Sequence, residues 1–312
     1  MRNSKLLLSL FCAASLHAGQ YLFAYFKDPG SSGVYYALSD DGLHYAEINN
    51  GNPVLTPAHP GELMRDAFVT RGPDGDFHMV WTWEWRDIRI GYAHSKDLIH
   101  WSGQIEVPLM KDVAGARNTW APEIYWDAPK NEWIIIWSST VGGNASDKVL
   151  DNRIYYSLTK DFRAFSKPAI FFGPGYNVID ATILKTNGKF YLVFKDERPE
   201  PLKKVIKIAE GPTVEGPWSH ISEEFTEAWS EGPSALKVGN EYIVYYDHYR
   251  EPRRYEAVES KDLKHWTSIT DKTSFPQGSK HGSFLAISKE EAARLVTQFP
   301  DHAPSNAGTG VR

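Results

Sequence analysis

One phrase recurs along this 312-residue chain and limits its fold more than any single residue does. It reads VYYALSDDGLHY from Val34, IGYAHSKDLIHW from Ile90, IYYSLTKDFRAF from Ile154 and YEAVESKDLKHW from Tyr255, with a weaker copy, IKIAEGPTVEGPW, from Ile206. Each copy has the form of a strand, a Ser/Asp/Gly turn and a short strand opening on an aromatic. Just upstream of each lies a strand rich in aromatic and β-branched residues: YLFAYF, FHMVWTW, WIIIWSS, FYLVFKDE and YIVYYDH. Four of these are preceded by another strand, reached through a turn: DAFVTRGPDG, EIYWDAPKNE, DATILKTNGK and EGPSALKVGN. The pattern predicts units of four strands each.

The unit at Tyr21 lacks its first strand, and HGSFLAIS from His281 has no partner at the far end. If that last strand completes the first unit, the array closes and leaves no free edge. The expected fold is all-β, a five-bladed β-propeller closed by the C-terminal inner strand pairing with the N-terminal blade, with residues 19–299 as one domain. SKEEAARLVTQF from Ser288 has a capping-box start, Ser288 with Glu291, and apolar Ala292, Leu295, Val296 and Phe299 at helical spacing, which predicts a short C-terminal helix. Residues 300–312 are polar and read as a disordered tail.

The N-terminus has Arg2 and Lys5, an apolar run over residues 6–16 and small residues near Ala18. This is the pattern of a secretory signal peptide over residues 1–18, and predicts a secreted or periplasmic protein. The run is too short to span a bilayer and no later segment qualifies. Cys12 is the only cysteine, so the mature chain would have no disulfide, thiol nucleophile or cysteine zinc site. A net charge of −5 argues against nucleic acid, whose phosphates call for a basic face. No obligate protein partner is implied.

In a propeller the first strand of each blade lines the axis, so matched residues on those strands meet at one mouth. Aligning the five inner strands places Asp66, Glu123, Asp180, Glu231 and His281 together, each opening its strand. Buried charge is costly unless paired, so folding alone gives no reason for five titratable groups there. Convergent carboxylates suit glycosidic cleavage: one protonates the leaving oxygen, one activates water or attacks the sugar, and a third tunes their proton affinity. Glu123 reads either as a ligand of a sugar hydroxyl or as the partner of a cation. His281 reads as a pocket-floor residue, a satisfied core histidine, or a holder of water or a cation on the axis. Among eleven tryptophans, Trp120 and Trp229 are the candidates for stacking on sugar, while Trp101, Trp218 and Trp266 recur in the repeat as blade packing. Asp40, Asp97, Asp161 and Asp262 read as turn formers. The carbohydrate-binding propeller without catalysis and the protein-interaction propeller are the readings from other classes.

At MRDAFVTRGPDGDFHMV, NTWAPEIYWD, NVIDATILKTNGKFYLVFKDE, SEGPSALKVGNEYIVYYD and KHGSFLAIS the sequence resembles glycoside hydrolase family 43, five-bladed propeller enzymes acting mainly on arabinose- and xylose-containing polysaccharides. The resemblance implies Asp66 as general base, Asp180 as the carboxylate that tunes and orients the acid, Glu231 as general acid, and inversion at the anomeric centre. It implies an α-L-arabinofuranosidase acting on terminal residues, with β-xylosidase or exo-galactanase as the alternatives. It requires no cofactor, and leaves a structural calcium at the axis, near His281, as an open option. Asp66-Ala67 departs from the Asp-Pro common in the family.

Overall fold

The computed structural model describes residues 20–143 and 150–300; the signal peptide read over residues 1–18 and the tail from 301 lie outside them. The chain is all-β with one short helix. In order, the strands are β1 (Gln20–Lys27), β2 (Tyr35–Ser39), β3 (Ala46–Glu47), β4 (Arg65–Arg71), β5 (Phe77–Thr82), β6 (Ile90–Ser95), β7 (Ile105–Val107), β8 (Trp120–Asp127), β9 (Glu132–Ser139) and β10 (Arg153–Thr159). They continue as β11 (Ala169–Phe172), β12 (Val178–Thr186), β13 (Lys189–Asp196), β14 (Val205–Gly211), β15 (Ser230–Val238), β16 (Glu241–His248), β17 (Arg254–Ser260), β18 (Thr267–Ser268) and β19 (Ser279–Ile287), before helix α1 (Lys289–Gln298).

Antiparallel pairing joins these strands mostly as the repeat predicts. β4 to β7, β8 to β11 and β15 to β18 each form four consecutive antiparallel strands. β19 pairs antiparallel with β1, beside β2 and β3, and meets β4 through a single parallel pair, Gly282 with Ala67. The unit starting at β12 departs from the expected four strands, since only β12, β13 and β14 form its sheet. Its sequence copy is the weakest: where the copies at Ile90 and Tyr255 have Asp-Leu-X-His-Trp, this one has the turn Thr213 to Gly216, and the chain beyond it meets β14 through an isolated Glu210–Ser219 bridge and scattered backbone and side-chain bonds rather than a strand ladder.

The second strand of each unit has both faces buried, which explains its almost unbroken apolar sequence. Alternate residues point to opposite faces. On β13, Leu192 and Phe194 enter one cluster with Ile134 and Ile136 of β9, while Val193 enters another with Val244 of β16. On β1, Leu22 and Ala24 pack with Met79 and Trp81 of β5, while Phe23 and Tyr25 pack with Ile243 and Tyr245 of β16. A fifth cluster joins Val80 of β5 to Ile135 and Trp137 of β9. Every unit is therefore glued to the two beside it by apolar burial worth roughly 1.5–3 kcal/mol for each large side chain.

The repeat's polar residues are explained locally. Ser95 Oγ accepts the Leu98 N–H, and Asp97 accepts the N–H groups of Ile99 and His100 while its second oxygen meets the His100 ring. The same turn occurs at Ser260/Asp262 and, without the histidine, at Thr159/Asp161. In the first copy Asp41, not Asp40, fills this role, accepting from Leu43 and His44; Asp40 instead accepts from the Gln20 amide. These bonds hold Asp41, Asp97, Asp161 and Asp262 below the usual carboxylate range. They are structural turns.

Helix α1 starts with the expected capping box between Ser288 and Glu291. Ala292 and Leu295 are buried against the β1 and β5 side chains and Phe299 is partly covered there, but Val296 faces solvent. The Arg71 guanidinium, 2.8 Å from Glu291, ties the helix to β4. Among the described residues no helix is long and apolar enough to cross a membrane.

Candidate active site

Each inner strand carries the same irregularity. The register of β4 slips between Arg65 and Phe68, that of β8 between Trp120 and Glu123, that of β12 between Ile179 and Thr182, and that of β15 between Glu231 and Ser234. The pairing of β1 with β19 slips at the matching place, between Lys280 and Ser283. These are β-bulges, which leave residues unpaired and re-aim side chains. The first unpaired residue is left-handed at Asp66 (φ 53°), Ala121 (φ 46°), Asp180 (φ 53°) and Gly232 (φ 58°). Asp tolerates that conformation better than most residues, so two of the four bulges deliver a carboxylate at little cost.

The bulges correct the alignment made from sequence. The matched residues are Asp66, Ala121, Asp180, Gly232 and His281, so Glu231 lies one residue before that level and Glu123 two residues after it. Nor does each candidate open its strand: Asp180 and His281 are third in β12 and β19, and Glu123 is fourth in β8. A bulge inserts a residue without a sequence signature, and counting from the strand start misses it.

Asp66, Asp180, Glu231, His281 and Trp120 line one cavity of about 420 Å³. Three of the side chains are held by specific donors. The Thr82 hydroxyl donates to Asp66 Oδ2 at 2.6 Å and accepts the Ala121 N–H at 2.8 Å, while Asp66 Oδ1 lies 3.5 Å from His281 Nδ1. Asp180 Oδ2 accepts the Gly232 N–H at 3.1 Å, and the Asp180 N–H donates to Ser138 Oγ. Glu231 Oε2 accepts from Lys195 Nζ at 3.0 Å. Burial pushes the Asp180 carboxyl up; Glu231 and Asp66 add to the rise, while His281 and Lys195 oppose it.

Sequence reasoning missed Lys195, which stands just behind this cavity, and Asp247, which lines it. Lys195 is 1% exposed and sits between Glu231 and Glu197, 2.7 Å from the latter, with its ammonium 4.5 Å from the centre of the Tyr249 ring. Burial works against its charge, but the two carboxylates outweigh it and raise its proton affinity. Asp247, paired in register with Glu231, is pushed up to about 7 by burial and by Glu231, against Lys280 at 3.1 Å. Trp85 stands 49% exposed at the mouth, edge-on to Trp120, with the Arg65 guanidinium over its face. Lys195 and Asp247 are each next to last in strands that read as core; a lysine or aspartate there is the only signal.

Two predicted residues are not brought into the cavity. Trp229 packs edge-on to Tyr249 beneath Arg250. Glu123 is buried beside the axis at the level of Phe68, Thr182 and Ser234, where it accepts the Tyr125 hydroxyl, itself fixed by the Ile183 N–H. Burial pushes its carboxyl up to about 8, the Tyr125 and Thr182 hydroxyls opposing and Asp180 adding. The folded state therefore keeps a proton on Glu123 that the unfolded chain releases above its ordinary value of 4.5. Linkage then requires stability to fall as pH rises from about 4.5 to 8. Thermal melts of Glu123→Gln should lose much of that slope, and an unchanged slope would refute the assignment.

No three His, Cys, Asp or Glu side chains among the described residues converge as a cation cage, and His281 Nδ1 is turned to Asp66.

Gly232 has a further role. A Cβ there would lie 2.4 Å from His281 Cγ, in addition to its left-handed backbone. Gly232→Ala should cost at least about 2 kcal/mol and displace His281, measurable by denaturant unfolding and by loss of activity.

Residues 17–293 match the family 43-related glycosyl hydrolase model, whose description is "Probable glycosyl hydrolase domain". The chain belongs to the family 43-related glycosyl hydrolases. This hydrolase is 28% identical over 185 residues to an alpha-L-arabinofuranosidase of Bifidobacterium longum subsp. longum, a match covering 51% of this chain and 17% of that protein. Its fold is similar to that of a thermostable family-43 glycoside hydrolase (TM-score 0.56, 16% identity, 73% of this chain and 80% of the other). It is also similar to that of an alpha-L-arabinofuranosidase from Lactobacillus brevis (TM-score 0.54, 17% identity, 66% and 72%).

Proposed function

We propose that this hydrolase is a secreted, inverting exo-glycosidase that removes terminal α-L-arabinofuranosyl residues from plant polysaccharide or oligosaccharide. The observation that carries the reading is the convergence of Asp66, Asp180 and Glu231 on one cavity, each held by its own donor. The units form the blades of a five-bladed propeller that β19 closes. In support, the inner strands touch in a circle: β4 with β8, β8 with β12, β12 with β15, β15 with β19 and β19 with β4.

Asp66 acts as general base. Thr82 fixes one of its oxygens, and it takes a proton from a water that attacks the anomeric carbon. Glu231 donates a proton to the departing glycosidic oxygen as that bond breaks, so sugar and alcohol leave with the elements of one water. Asp180, kept proton-hungry by burial, sits in the field of both and orients the acid through its contact with the backbone beside Glu231. Such a mechanism places the base and acid carboxyls roughly 6.5–9.5 Å apart. Trp120 and Trp85 offer ring surface to the apolar face of a sugar. Arabinose rests on the Bifidobacterium relative and on the family resemblance; no step calls for a cofactor.

Release of sugar from a panel of aryl glycosides, with NMR following the first anomer formed, tests the reading. Fastest release from the α-L-arabinofuranoside with inversion is expected. Retention would overturn the mechanism, and preference for a xyloside or galactoside would overturn the substrate.

A further inference from the structure

The cavity that holds the carboxylates is not the largest on this face. A second one of about 660 Å³ adjoins it, and the two share Asp28, Asp247, Arg253 and Lys280 as walls. Their charge is opposite in character. Six carboxylates and three cations line the first, whereas four cations, Lys27, Arg253, Arg254 and Lys280, and only the two shared aspartates line the second. In a chain of net charge −5 this concentration is not what average composition supplies.

The counter-charges of three of these cations stand outside the second cavity. Lys27 is 2.6 Å from Glu47, Arg254 pairs with Glu256, and Arg253 lies 3.2 Å from Glu251, none of which lines its wall. The Arg253–Glu251 pair is 57% and 81% exposed, so water screens it and it holds the guanidinium weakly. Lys280 faces Asp247, whose burial favours the uncharged carboxyl and leaves the ammonium poorly neutralised.

We propose that this second cavity binds the part of the substrate beyond the scissile bond, and that it selects a saccharide carrying a carboxylate, a uronic acid unit. The inference rests on the glycosidase reading above. Two observations point to it: the cavity adjoins the catalytic one, with four residues lining both, and its size falls within the range of sites that enclose small ligands. Arginine and lysine meet a carboxylate through charge-assisted hydrogen bonds, about twice as strong as neutral ones. A neutral sugar would offer those cations only hydroxyl groups beyond the carboxylates that already pair with them.

The test uses two arabinosylated oligosaccharides that differ only in whether the unit next to the arabinose bears a free carboxylate or its methyl ester. For the native protein kcat/KM should be about tenfold higher on the acid, the effect of one charge-assisted contact. A double variant, Arg253→Gln with Lys280→Gln, which removes the two cations that their own partners hold least, should bring the ratio near one. Equal rates in the native protein, or a preference that survives the double variant, would overturn the proposal. Calorimetric titration of the native protein with trigalacturonate and with its methyl ester separates this inference from the reading it rests on. Binding of the acid alone supports the subsite even if neither arabinoside is cleaved, and equal or absent binding of both sinks it.

Discussion

Asp66→Asn and Glu231→Gln are each expected to lower kcat on an unactivated arabinoside by about 10³-fold, the usual range for loss of a positioned general base or acid being 10²–10⁴. Their folding should be spared. Asparagine tolerates the left-handed backbone of residue 66 as well as aspartate does, and Thr82 can still donate to its carbonyl oxygen. Glutamine at 231 keeps an oxygen for Lys195. The two variants should then part company when the leaving group changes. A nitrophenolate leaves without help, so Glu231→Gln should recover most of its activity on the nitrophenyl glycoside, while Asp66→Asn should not, because water must still be deprotonated. If both variants recover equally, or neither loses activity, the roles given to Asp66 and Glu231 are wrong.

The sequence carried the strand pattern because the second strand of each unit is buried on both faces, and such strands must be apolar throughout. It carried the turns because a Ser and an Asp two residues apart recur for a local reason, satisfying three or four N–H groups. It placed Asp66, Asp180, Glu231, His281 and Trp120 on one cavity. It misplaced Glu123 because the bulges shift each strand by a residue that no letter announces, so a carboxylate that seemed level with Asp66 lies deeper, beside Tyr125. Trp229 failed for another reason, since the packing of Tyr249 and Arg250 against it is tertiary. Lys195 and Thr82 were invisible because each lies on a second strand whose remaining residues belong to the core. Their functional neighbours come from other strands far away in sequence.

Lys195→Met is expected to have the larger effect on stability and a separate effect on catalysis. The side chain is almost wholly buried, and its ammonium is shared by Glu231 and Glu197, the latter also paired with Lys204. Methionine fills much the same volume but leaves two carboxylates facing each other at a partly buried site. Removing one partner of a buried pair typically costs about 3–5 kcal/mol. Because Glu231 keeps 31% of its side chain in water and Lys204 still neutralises Glu197, about 3 kcal/mol is the expected loss in urea unfolding. The catalytic consequence follows from position: without its donor Glu231 is no longer fixed at the departing oxygen. In Lys195→Met kcat on an unactivated arabinoside should fall, much of the loss should vanish on the nitrophenyl glycoside, whose leaving group needs no proton, and Lys195→Arg should restore part of the rate. A variant as stable as the native protein with an unchanged kcat on both substrates would show that Lys195 neither supports the core nor positions the acid.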